Sequence, residues 1–160
     1  MKILFCILFI FTLHLTGKSQ GKNYLLTIDQ LNSRIQQGGD TVFVINFWAT
    51  WCGPCVKELV HFEKLNNRFA TEKSKVILVN VDFKSKLKNA VIPFVKKKKL
   101  RTEVFLLDEK NQQEYINRVD PGWSGAIPAT LMIKGKNRKF FEDEFDYQKL
   151  LKQYLNIKRS

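Results

Sequence analysis

Apolar positions in this chain recur with two alternating periods. Thr27-Ile28-Asp29-Gln30 has capping-box spacing, and Ile28, Leu31 and Ile35 mark one face of a helix that Gly38-Gly39 ends. Thr41 to Trp48 (TVFVINFW) is β-branched and aromatic with almost no polar break, the pattern of a strand buried on both faces of a largely parallel sheet. Helical spacing returns at Val56, Leu59, Val60, Phe62, Leu65 and Phe69, followed by a second buried strand over Lys75 to Val81. Leu87, Ala90, Val91, Phe94 and Val95 form another helical stripe, and Pro93 within it should kink or split the helix. Glu103 to Leu107 reads as a short strand. Ala129 to Lys134 and Lys139 to Glu142 read as a hairpin around Gly135-Lys136-Asn137, and Asp146 caps a last helix carrying Tyr147, Leu150, Leu151, Tyr154 and Leu155. There is no internal repeat and no long linker. The order predicts one α/β domain, a mixed central β-sheet flanked by helices on both faces.

The first nineteen residues follow a different pattern. Lys2 precedes an apolar run, Ile3 to Leu15, broken only by Thr12 and His14 and followed by the small, polar stretch Thr16-Gly17-Lys18-Ser19-Gln20. This is the order of a secretory signal peptide. A helix over that run would reach only about 20 Å, short of the ~30 Å hydrocarbon core. Residues 1–19 are therefore expected to be cleaved and residues 20–160 to form the mature domain, with no membrane span and an extracytoplasmic, periplasmic location; an uncleaved anchor is the alternative.

Cleavage changes the meaning of composition. The 160-residue chain is 44% hydrophobic and carries 27 Lys+Arg against 15 Asp+Glu, a net charge of +12. Loss of Lys2 and Lys18 with no acidic residue takes two from +12 and leaves +10. Loss of Cys6 reduces three cysteines to two, Cys52 and Cys55. Outside the cytoplasm nucleic acid is not the expected partner, and no nucleic-acid motif accompanies the charge. Lys84, Lys86, Lys88 and Lys96 to Lys99 interleave with the third helical stripe, as on the solvated face of an amphipathic helix; steering toward acidic partners or an anionic membrane is the other reading.

Cys52-Gly53-Pro54-Cys55 stands where a buried strand passes into a helix. At a helix start, free backbone N–H groups and the dipole favour the thiolate, which is the nucleophile. Pro54 suits the first turn. A structural zinc site needs four ligands, and the mature chain offers Cys52, Cys55 and His61 as its usual nitrogen and sulfur donors, so no metal and no cofactor are expected. Covalent haem attachment needs His after the second cysteine, where Val56 stands. A purely structural disulfide over so small a loop would stabilise little. Redox chemistry is the reading that remains strongest.

These residues resemble a known family. Phe47-Trp48-Ala49-Thr50-Trp51-Cys52-Gly53-Pro54-Cys55 is similar to the active-site segment of thioredoxins, and NFWATWCGPCVKEL with the later WSGAIPATL resembles the exported TlpA/ResA-type thiol-disulfide oxidoreductases. The likeness runs over roughly residues 25 to 157. It implies a thioredoxin fold, a Cys52–Cys55 redox disulfide with Cys52 reactive and Cys55 resolving, and a cis peptide at Ile127-Pro128 facing it. The Ile127 backbone would pair with an extended substrate segment, and Trp51, Gly53 and Pro54 would border the substrate. Glu58 follows Cys55 by three residues and shares its helical face, and the resemblance implies a proton-handling carboxylate there; a solvated Glu beside Lys57 is the plainer alternative.

The sequence also departs from cytosolic thioredoxins, with Asn46 in place of a buried Asp, Leu78 in place of a buried Lys, and Val60 in place of a proline common in the exported subgroup. Trp48 reads as core, Trp51 and Trp123 as neighbours of the active-site surface, with Trp123 open to either partner contact or loop packing. The implied activity is reduction of disulfides in exported proteins, with re-reduction by a membrane thiol donor, by a monomer. Apocytochrome c is one implied target. Oxidase or isomerase action, a non-catalytic peptide-binding module on the same scaffold, and a peroxidase (which lacks a further resolving cysteine here) are the competing functions.

Overall fold

The computed structural model describes residues 24–160, so the expected signal over residues 1–19, with Cys6, lies outside the described residues. Six strands form one sheet: β1 (Leu25–Leu26), β2 (Val42–Trp48), β3 (Ser74–Asn80), β4 (Glu103–Leu107), β5 (Ala129–Lys134) and β6 (Asn137–Phe141). Their order across the sheet is β1-β4-β3-β2-β5-β6. The first four run parallel, β5 pairs antiparallel with β2, and β6 pairs antiparallel with β5, so the sheet is mixed. All seven residues of β2 are buried, as its unbroken apolar run requires of a central strand.

Period-two alternation sorts that strand between two cores. Val42, Val44 and Trp48 face α2 (Gly53–Arg68), α3 (Ile92–Lys98) and α5 (Tyr147–Arg159). Phe43, Ile45 and Phe47 face α1 (Ile28–Gln37) and α4 (Gln112–Val119). The expected thioredoxin-like arrangement, a mixed sheet with helices on both faces, is the one found. Asn46 falls between Val44 and Trp48 by this alternation and so points toward α2, with Leu78 beside it in register on β3.

α1 has the expected capping box, with the Thr27 side chain on the Gln30 N–H and the Gln30 side chain on the Thr27 N–H. The third helical stripe is split: a 3-10 turn over Lys84–Lys86 and a π-helical stretch over Leu87–Val91 precede α3. Pro93 lies in the first turn of α3, directly after the π-helical stretch. Two elements were invisible to periodicity. β1 is two residues long and joins the edge of β4, and α4 is an eight-residue, mostly polar helix that buries only Ile116 and Val119. The hairpin strand β6 begins two residues earlier than expected, at Asn137, because the turn itself needs only Gly135 and Lys136.

Candidate redox site

α2 begins at the carboxyl end of β2. Cys52 is its N-cap, with extended backbone, and its Sγ accepts the Cys55 N–H at 3.3 Å. Pro54 occupies the first turn, as expected from its fixed φ. Cys52 and Cys55 are joined in a disulfide with Cα atoms 5.3 Å apart. Cys55 is wholly buried and Cys52 is 5% exposed. Of the two, only Cys52 keeps any exposed surface. A Cβ at Gly53 would meet nothing within 4 Å, and Pro54 is exposed, so the front of the turn is open.

The Ile127-Pro128 peptide is cis. Cys52 Sγ lies 3.8 Å from the Ile127 carbonyl oxygen, which brings together the two motifs that are 75 residues apart in the chain. The loop carrying Ile127 is tied from two sides. Trp123 donates its indole N–H to the Ala126 carbonyl at 2.8 Å, and Glu142 accepts the N–H groups of Ser124 and Ala126, each at 3.1 Å, together with the Ser124 hydroxyl. The Ser124 hydroxyl bond is the largest influence holding the Glu142 carboxyl below its usual range. Gly125 sits at φ +93°, and a Cβ there would come within 3.0 Å of the Ile116 side chain, so both backbone and space call for glycine. Trp123 is buried against Phe47, Tyr115 and Phe140, the loop-packing one of its two expected roles.

Behind the disulfide, α2 buries Cys55, Glu58, Leu59, Phe62 and Leu65 on a single stripe. Glu58 is thus a carboxyl group in an apolar row, only 1% exposed, and the solvated alternative is excluded. Each oxygen meets one donor: Asn46 Nδ2 reaches Oε1 at 2.7 Å and the Phe145 N–H reaches Oε2 at 2.7 Å. The Asn46 amide is also in reach of Thr130 Oγ1 at 3.2 Å and the Ala129 carbonyl at 3.5 Å, so β2, β5 and α2 meet at this group. Burial pushes the Glu58 carboxyl up to about 7; the Phe145 and Asn46 donors oppose this, and the nearby Glu144 and Asp143 charges add to it. A carboxyl poised there can both hold and release a proton near neutrality. Asn46 cannot titrate. It supplies a donor to Glu58 and adds no second charge.

Several supporting residues leave little mark on the hydrophobic pattern. Phe145 orients the N–H that meets Glu58, anchored by its ring against Phe62 and Phe141. The available signal was a single large apolar residue within the acidic run Glu142 to Asp146. Asp82, buried, accepts the Thr50 N–H at 2.8 Å and the Thr50 hydroxyl at 3.1 Å and so steadies the loop leading to Cys52. Trp51 stands out from that loop at 71% exposure.

A mixed sheet, a two-residue insert between cysteines at a helix start, and a cis proline against the sulfur define a thioredoxin-like protein. Residues 23–138 match the AhpC/TSA family, and the chain belongs to it. Among relatives, sporulation thiol-disulfide oxidoreductase A of Bacillus subtilis is 32% identical over 69 residues, 43% of this chain and 41% of that protein. Thiol:disulfide interchange protein DsbE of Pasteurella multocida is 29% identical over 137 residues, 78% of this chain and 68% of that protein. A thioredoxin-related protein from Neisseria meningitidis serogroup B shares the fold, with a TM-score of 0.67 at 20% identity, covering 79% of this chain and 91% of the other. The chain spans about half the length of the first curated relatives it matches.

Proposed function

We propose that this protein is an extracytoplasmic thiol-disulfide oxidoreductase that reduces disulfides of exported proteins. The observation that carries this is the Cys52–Cys55 disulfide at the head of α2, with its accessible sulfur against Ile127 and the buried Glu58 carboxyl on the same helical stripe. Thiol-disulfide exchange, without a direction, is the activity named for the Bacillus subtilis and Pasteurella multocida relatives and supports this reading. The location rests on the signal-like order of residues 1–19. Among the described residues no helix is long and apolar enough to cross a membrane.

In the reduced protein, the Cys52 thiolate attacks one sulfur of a substrate disulfide. The Cys52–substrate bond forms, the substrate S–S bond breaks, and the departing substrate thiolate takes up a proton. Glu58 then accepts the Cys55 proton. The Cys55 thiolate attacks Cys52 Sγ, the intramolecular disulfide closes, and the second substrate sulfur leaves as a thiolate that is protonated in turn. Two electrons pass to the substrate in each cycle, and a membrane thiol donor returns them. The backbone of Ile127 and the open faces of Trp51, Gly53 and Pro54 hold the substrate segment as an added strand.

Reduced protein should reduce insulin disulfides, and Cys52→Ser should lower that rate to the uncatalysed level. Full biological activity of Cys52→Ser in cells would instead mark a binding module that uses the scaffold without its chemistry.

A further inference from the structure

The segment between β3 and β4 carries a charge unlike the rest of the chain. Residues 83–102 hold eight basic residues, Lys84, Lys86, Lys88, Lys96 to Lys99 and Arg101, and no Asp or Glu. Of the +10 that remains without residues 1–19, this stretch carries +8, which leaves +2 for everything else. All eight are exposed. Lys84 pairs with Asp108 at 2.7 Å, and the other seven have no ion-pair partner within 4 Å among the described residues. Asp82 and Glu103 flank the stretch in the chain, and Glu63 accepts the N–H groups of Arg101 and Thr102 at its end. With these three and Asp108 all counted against it, the stretch keeps a surplus of +4.

The shape of this charge narrows the partner. The 3-10 turn, the π-helical stretch and α3 follow one another without a break from Lys84 to Lys98. At a rise of about 1.5 Å per residue they form a ridge about 20 Å long. The Debye length at physiological salt is about 8 Å, so charges at the two ends cannot act together on one small anion or one carboxylate. They act together on a surface that carries many negative charges. Phe83 stands at the head of the ridge with 82% of its surface exposed, and an aromatic beside lysines suits the boundary where lipid headgroups meet acyl chains. The ridge also lies where the chain enters the fold. β1 is the edge strand beside β4, and Leu25 packs on the same core as Val91 and Val95 under the ridge. The sequence before Tyr24, with the apolar run Ile3 to Leu15, therefore joins the domain on that side.

We propose that the Lys84–Lys98 ridge is a membrane-surface site: it takes the anionic headgroups of phospholipids and holds the domain against the bilayer. This rests on the extracytoplasmic location proposed above and is independent of the redox chemistry. Lysines this close to an anionic bilayer each strengthen binding by about fivefold, and the gain fades as salt shortens the Debye length.

The test is sedimentation of the exported protein, purified without detergent, with vesicles of phosphatidylcholine alone or with about one-third phosphatidylglycerol. The ratio of binding to the two vesicle types is the readout, so any apolar contribution common to both cancels. The native protein should prefer the anionic vesicles by about 10²-fold and lose that preference at about 1 M salt. Lys96→Glu with Lys98→Glu should lower the ratio by at least about 30-fold, and the same pair changed to Gln by an intermediate factor. Lys136→Glu with Lys139→Glu makes the equal charge change on the β5–β6 hairpin, at the opposite edge of the sheet from β1, and should lower the ratio less than about threefold. Equal losses in the ridge and hairpin variants would show attraction by net charge alone and overturn the site. Equal binding of the native protein to both vesicle types would overturn it as well. Retention by polyglutamate with no preference for anionic vesicles would assign the ridge to an acidic protein and overturn the membrane site. Insulin reduction by the ridge variants should match the native rate, and Cys52→Ser should bind vesicles as the native protein does, so this proposal and the oxidoreductase reading stand or fall separately.

Discussion

Cys55→Ala should accumulate covalent complexes with its substrates, each joined through Cys52, where the native protein shows almost none. The geometry gives the reason. In the cycle proposed above, Cys52, which keeps some exposed surface, makes the bond to the partner, and Cys55, fully buried three residues further on, releases it. Removing Cys55 leaves the first exchange intact and stops the second, so the mixed disulfide becomes the end state. Expression of the variant in cells, non-reducing electrophoresis and mass spectrometry of the trapped species would show the link at Cys52 and identify the partners. Release with excess dithiothreitol should return each partner intact. No trapped species from a variant whose Cys52 still reacts with iodoacetamide would contradict the reductase cycle.

Glu58→Gln should remove the pH dependence of the closing step. With the carboxyl at about 7, Glu58 is mostly protonated below that pH and cannot take the Cys55 proton. The rate at which the Cys52 mixed disulfide resolves should rise about tenfold per pH unit up to 7 and then level off. In Glu58→Gln the inflection at 7 should vanish and the plateau fall about 10²-fold or more, the usual scale of a general base. Rapid-quench analysis of a preformed mixed disulfide gives both numbers.

The same substitution has a signature in stability. The native carboxyl, raised from 4.5 to about 7, keeps a proton that the unfolded chain has already released between those pH values. The native state then binds more protons, so the stability of the oxidised wild type falls as pH rises through this window and is level above it. The full drop is about 3 kcal/mol. Glu58→Gln lacks that slope. Its amide also faces the Phe145 N–H and the Asn46 amide with only one acceptor oxygen, a pH-independent cost of about 1–3 kcal/mol. The slope is therefore the quantity to compare.

The sequence made the sheet and the redox turn legible because both depend on local pattern. β2 shows as an unbroken apolar run, α2 as a stripe from Val56 to Phe69, and the cysteine pair as a motif at their junction. Glu58 was legible as a position and ambiguous as an environment. Spacing puts it on the face of Cys55, but its burial depends on Phe145 and Asn46, 87 and 12 residues away in the chain. β1 and α4 were hidden for opposite reasons: β1 is too short to show a period, and α4 is too polar. The support of the Ile127 loop by Glu142 was also out of reach, since a carboxylate accepting backbone N–H groups across 16 to 18 residues leaves no mark on hydrophobic pattern.

The direction of electron flow is set by the reduction potential of the Cys52–Cys55 couple, measured at pH 7 by equilibration with defined dithiothreitol or glutathione buffers. A thioredoxin-like Gly-Pro insert predicts a value near the thioredoxin end of the scale, about −270 mV, at which the dithiol donates electrons to less stable disulfides. A potential above about −150 mV would make the protein an oxidant of its partners and contradict the reductase proposed here.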